Sequence, residues 1–128
     1  MNRNSTVENG AVLFFVGIAK DTSKNGEKVD ILELEAWEEK AENELEKISR
    51  EIKEKHNVKD AVVIHSYGRF SPGEPVVLVA VAGESRTDVF PAIQDAISLY
   101  KTRPPIFKKE IYEDGTSKWI TEEKKLET

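Results

Sequence analysis

Residues 75–82 read PVVLVAVA, a run with no charged side chain. A run this short, apolar and β-branched reads as a strand at the centre of a sheet. Before it stands GRFSPGE, residues 68–74, a loop with Pro and Gly at turn positions. Before that, DAVVIHSY at 60–67 reads as another strand. After it, Val89, Ile93, Ala96, Ile97 and Tyr100 recur at helical spacing and predict a helix from Arg86 to Lys101. Pro91 is expected in its first turn, where a missing N–H costs little. Pro104 and Pro105 end it.

Further upstream, AVLFFVGIA at 11–19 is a continuous apolar run, read as a buried strand with Gly17 as a bulge or a point of close approach. KDTSKNGEK at 20–28 is a polar turn, and VDILELEA at 29–36 alternates, with Leu32, Leu34 and Ala36 on one face and Glu33 and Glu35 on the other. These two strands are expected to pair as a hairpin. Ala41, Leu45, Ile48 and Ile52 mark a helix over Trp37–His56, and Asn57 is its stop. Downstream, Phe107–Tyr112 reads as a strand, Asp114-Gly115 as a turn and Trp119-Ile120 as the start of a short last strand. Residues 1–9 and 121–128 are polar and expected to fray. The order β-β-α-β-β-α-β-β predicts one α+β domain over 1–128, a mostly antiparallel sheet carrying two main helices. No Gly-rich phosphate loop or dinucleotide fingerprint interrupts it.

At 128 residues the chain is long enough to bury a substantial core. A net charge of −5 argues against a general nucleic-acid binder, though it leaves room for a local basic pocket. The absence of cysteine excludes disulfides, thiolate nucleophiles and Cys-based metal sites. With only His56 and His65, a histidine-rich metal centre is not expected. The longest apolar run is too short to span a bilayer, and the polar N-terminus lacks the apolar core of a signal peptide. The expected setting is the cytoplasm.

Few residues offer chemistry. His65 sits mid-strand, read first as a structural histidine and second as a group lining a site. Glu33 and Glu35 read as a solvated strand face, with a paired-carboxylate site as the alternative. The distinctive stretch is 83–110, where Arg86, Lys101, Arg103, Lys108 and Lys109 gather in an otherwise acidic chain and two prolines stiffen the backbone between the lysines. Clustered cations bind phosphate or carboxylate, and their mutual repulsion lowers a lysine pKa toward the range of a base or nucleophile. The plainer account is that lysines at a helix C-terminus complement its dipole and lysines on an edge strand oppose aggregation.

Several segments together resemble the large, catalytic subunit of molybdopterin synthases. They are GAVLFFVGIAKD, LELEAW with the helix after it, HSYGRFSPGE with VVLVAVAG, and above all SRTDVFPAIQDAISLYKTRPPIFKKE followed by DGTSKW. The resemblance runs from Gly10 to about Trp119. It implies an α/β hammerhead-type fold and a homodimer of large subunits within a heterotetramer. It also implies a small ubiquitin-like carrier whose C-terminal Gly-Gly thiocarboxylate donates sulfur to cyclic pyranopterin monophosphate, giving molybdopterin without metal or organic cofactor. Carried over by position, Lys101 and Lys108 match the catalytic lysines and Arg86 an arginine for the substrate's anion. Lys109 and Glu110 continue the same segment, and Ile18, Ala19 and Lys20 border the substrate. The family usually has Arg at Lys20, His at Ser85 and Arg at Ser66. These departures motivate two alternatives: a carrier-binding scaffold without turnover, or a phosphate-metabolite binder on the same fold. Lys101, Lys108 and Arg86 are expected to converge on one pocket near a subunit boundary.

Overall fold

The computed structural model describes residues 9–120; the two polar ends expected to fray lie almost wholly outside this range. The elements are β1 (Ala11–Ile18), β2 (Val29–Ala36), α1 (Glu38–His56), β3 (Asp60–His65), β4 (Gly68–Phe70), β5 (Pro75–Gly83), α2 (Arg86–Thr102), β6 (Ile106–Tyr112) and β7 (Ser117–Ile120). Among the described residues the strands form two sheets, ordered β1-β5-β3 and β4-β2-β6-β7, and every pairing between these strands is antiparallel. The α+β order is as expected. The strand β4 lies inside the segment read as loop, and the single sheet is two.

The expected β1–β2 hairpin does not form. β1 pairs with β5 from Ala11↔Gly83 onward, and β2 pairs with β4 and β6. The reason is facial chemistry. β1 is apolar on both faces, so it suits the equally apolar β5, whereas β2 carries Glu33 and Glu35 on one face and suits strands bearing Arg69 and Lys109. The turn after β1 therefore passes the chain from one sheet to the other.

Both helices cover one face of the first sheet. Leu45, Ile48 and Ile52 of α1 and Val89, Ala92, Ile93, Ala96 and Tyr100 of α2 pack on Ala61, Val77, Val79 and Val81. Asn57 ends α1 in the left-handed conformation (φ 54°), with Lys53, Lys55 and His56 complementing the dipole in the last turn. Pro91 falls one turn deeper in α2 than expected. Pro91 and Thr87 are both exposed, so the Thr87 carbonyl that loses its N–H partner lies on the solvent side.

The opposite face of the first sheet has no cover within the described chain. Val12, Phe14, Val16 and Ile18 of β1 and Val62 and Ile64 of β3 are all exposed there, Phe14 at 68%, so the strand expected to be buried is covered on one face only, because both helices pack on the same side of the sheet. The second sheet has its own small core, in which Leu32 and Leu34 close on Ala19 with Phe70 and Val76 against them.

Candidate functional site

Strand alternation sorts the residues of β6. Lys108 stands opposite Leu34 and Glu110 opposite Leu32, both on the face that carries the small core. Lys109 stands opposite Glu33, on the other face, with Nζ 5.4 Å from the centre of the Trp119 ring. So Lys108 and Glu110 share a face, and Lys109 belongs to a separate cross-strand row, Arg69–Glu33–Lys109–Trp119.

That outer row changes the reading of the carboxylates. Glu33 is only 12% exposed and pairs with Arg69 Nη2 at 3.2 Å. A hydrogen bond between the two carboxyls holds Glu33 below and Glu35 above the ordinary carboxylate range. Glu35 is exposed, as on the solvated face expected, while Glu33 is largely covered, and both lie across the sheet from Lys108.

The Lys108 charge is felt at His65, at the end of the first sheet. Gly17 and His65 flank Val77 in one row, and Tyr100 of α2 covers it. The ladder shifts register between Gly17 and Ile18, and a Cβ on Gly17 would stand 2.4 Å from Val77 Cγ1 and 3.7 Å from Tyr100 Oη. The extra residue at the shift is Val76 of β5, so the bulge lies on the partner strand and Gly17 is the point of close approach. His65 stacks on Tyr67 (centroids 5.8 Å apart, 14° between planes) and meets the Tyr100 ring edge-on. Its Nδ1 lies 2.9 Å from the Ser66 carbonyl oxygen. A carbonyl only accepts, so Nδ1 carries the hydrogen and the neutral ring keeps a lone pair on Nε2. Burial first, with the Lys108 charge as a lesser contribution, holds this imidazole below its usual range. Tyr67 donates to Glu42 at 2.6 Å, and its phenol is pushed up by burial and then by that carboxylate. His65 thus packs against two tyrosines as the structural histidine expected, with the Lys108 charge a lesser influence on it.

Ile18, Ala19 and Lys20 line an open cleft of about 600 Å³, closed on the other side by Pro72 and Gly73. Two backbone bonds hold its wall: Ala19 N–H to the Glu74 carbonyl (2.9 Å) and Gly73 N–H to the Ala19 carbonyl (2.8 Å). The volume suits a small metabolite. Neither Lys101 nor Lys108 lines the cleft itself. Ala19 connects the two regions, because it packs in the same small core as Leu34, the partner of Lys108.

The cation cluster largely separates in space. Arg86 opens α2 and Lys101 lies in its last turn, about 22 Å away at 1.5 Å per residue. The expected convergence of Arg86 with Lys101 and Lys108 is therefore absent within one chain. Ser85 is the N-cap of the same helix, its hydroxyl 2.7 Å from that of Thr87, and it shares the remote position of Arg86. Arg103 is engaged by Glu44 and Glu51 of α1. Lys101 and Lys108 remain at the near end, separated by a turn whose Pro105 carbonyl accepts from Trp37 N–H at 3.3 Å.

The family model described as MoaE protein matches residues 1–103. The chain belongs to the MoaE family. The molybdopterin synthase catalytic subunit of Rattus norvegicus is 40% identical over 110 residues, covering 86% of this chain and 54% of that protein. The Staphylococcus aureus catalytic subunit is also 40% identical over 110 residues, covering 86% of this chain and 73% of that one. The crystal structure of molybdopterin synthase from Staphylococcus aureus superimposes with a TM-score of 0.84 at 37% identity, covering 92% of this chain and 85% of that chain. The MoaE chain described here thus spans about half the length of its rat relative and most of its bacterial ones. Neither of its described helices is long and apolar enough to cross a membrane.

Proposed function

We propose that this MoaE-family chain is the catalytic subunit of a molybdopterin synthase. It transfers sulfur from the C-terminal thiocarboxylate of a small Gly-Gly carrier to cyclic pyranopterin monophosphate, in the cytoplasm. The observation that supports this most is the joint arrangement of Lys101, Lys108 and the cleft at Lys20. Two lysines are held apart by a proline-stiffened turn, and Lys108 stands opposite Leu34, which packs with Ala19 of the cleft wall.

The chemistry asks for what these residues offer. A thiocarboxylate is already nucleophilic, so the protein's task is alignment and charge stabilisation. Lys20 in the cleft meets the substrate's anionic part; as a point charge it lacks the bidentate grip of an arginine. Lys101 and Lys108 stabilise the oxyanions that develop during attack and exchange protons with the leaving oxygen. Glu110, on the Lys108 face, is hydrogen-bonded by Tyr112 at 2.9 Å and orients that end of the site. Glycine at the carrier's tail lets its backbone enter a narrow channel, while the carrier's globular part supplies most of the affinity.

The chain works as a homodimer. The exposed row Val12, Phe14, Val16 and Ile18, continued by Val62 and Ile64, is a contiguous apolar surface of the kind that marks an interface, and a second copy covers it. If Arg86 serves the lysine site, the separation of about 22 Å within one chain requires that it come from the second copy.

The test combines the purified chain, a thiocarboxylated small carrier and cyclic pyranopterin monophosphate, with molybdopterin read as its fluorescent oxidised derivative. Product is expected. Carrier binding without product would replace this reading with a non-catalytic scaffold, and phosphate-metabolite binding without carrier binding would replace it with a metabolite-binding module.

A further inference from the structure

We infer that Arg103 is a positioning residue for the lysine-bearing turn and does not bind the substrate's anion; the inference rests on the synthase reading above. Its guanidinium has two edges able to fork onto an oxyanion. Nε and Nη2 both meet Glu44 Oε2, at 2.7 and 2.6 Å. Nη1 and Nη2 meet the two oxygens of Glu51, at 2.7 and 3.0 Å. Both edges are occupied, and two carboxylates repel a third anion. Of the cations gathered near Lys101 in sequence, this one is neutralised before any substrate arrives.

The location gives the clamp its purpose. Arg103 is the C-cap of α2, two residues after Lys101 and five before Lys108, and its own N–H donates to the Leu99 carbonyl at 3.0 Å. Pro104 is buried, and the Pro105 carbonyl is held by Trp37 N–H at the entrance to α1. Glu44 and Glu51 lie two turns apart on one face of α1. The turn is thus tied to α1 through its backbone at Trp37 and through its side chain at Glu44 and Glu51. A hydrogen bond from Arg103 holds the Glu51 carboxyl below its ordinary range, consistent with an ion pair that persists at neutral pH. Without the side-chain tie, the turn keeps its prolines but gains freedom to swing against α1, and the relative placement of Lys101 and Lys108 changes with it.

The test compares Arg103→Lys, which keeps the charge and loses the fork, with Glu44→Ala/Glu51→Ala, which removes the clamp from the helix side with alanine, a strong helix former. In the sulfur-transfer assay both are expected to lose about 10–100-fold in kcat with little change in KM, the size of effect that small misplacement produces. The triple variant is expected to be no worse than either, because one interaction is removed. A rise in KM confined to Arg103→Lys, with the glutamate variant behaving as wild type, would overturn the inference in favour of direct substrate contact. A lower melting temperature with unchanged kcat would overturn it in favour of a purely structural pair. Competitive acylation of the lysine amines, read residue by residue in the unliganded protein, is expected to change at Lys101 and Lys108 in both variants. That readout holds even if the wild type makes no molybdopterin, so failure of the synthase reading is distinguishable from failure of the clamp; unchanged labelling at both lysines would sink the clamp.

Discussion

Arg86 and Lys101 stand at opposite ends of one helix, about 22 Å apart along its axis, so no single copy of the chain can bring them to the same small substrate. If both serve one site, each site is built from two chains. Arg86→Ala and Lys101→Ala are then each expected to be nearly inactive alone. A one-to-one mixture allowed to exchange subunits is expected to recover about a quarter of wild-type turnover, since about half the dimers are mixed and each holds one intact site. Full inactivity of the exchanged mixture would place both residues in one chain's site.

The uncovered sheet face leads to a second expectation. Phe14→Glu puts a charge in the middle of the exposed row of β1, where its side chain makes no contribution to the helix-covered core. Light scattering is expected to show a dimer for the wild type and a monomer for the variant, with unchanged circular dichroism. A wild-type monomer at working concentration would remove the dimer from the proposal.

His65 makes stability depend on pH in a defined direction. Its folded pKa lies below the unfolded value of 6.5, mainly through burial. Above pH 6.5 both states are neutral there and nothing is lost; as pH falls through 6.5 the unfolded state takes up the proton first, and stability declines toward the folded pKa. Urea midpoints at several pH values should show this decline in the wild type and a smaller one in His65→Gln. Equal slopes would mean that another group titrates there.

Gly17 admits no side chain without rearrangement. The added methyl of Gly17→Ala would meet Val77 Cγ1 at 2.4 Å, and a β-branched valine in a sheet centre has little rotamer freedom. A loss of about 1–3 kcal/mol is expected in chemical denaturation. Gly17→Ala/Val77→Ala, which removes the opposing methyls, should recover part of the loss attributable to the clash. A single variant as stable as wild type would show that the bulge adapts.

Much of the local structure is legible in the chain. The alternation in VDILELEA, the spacing of Ala41, Leu45, Ile48 and Ile52, and the prolines after Thr102 and Arg103 mark strands, helices and breaks to within a few residues. The strand Gly68–Phe70 was hidden because three residues flanked by glycine and Pro-Gly carry no periodicity; only its pairing with Leu32 to Leu34 makes it a strand. The lysine segment was legible as a motif, LYKTRPPIFKKE, but its four cations looked alike.

What the sequence determined by itself is each element's type and the faces it can bury, because those depend on neighbours three or four residues away in a helix and two in a strand. Tertiary structure alone decided which faces met. It sent β1 to β5 rather than β2, and it drew Arg103 onto Glu44 and Glu51. Those outcomes depend on pairings between residues distant in the chain, where charge complementarity and shared apolar area select one partner among several that local pattern leaves equivalent.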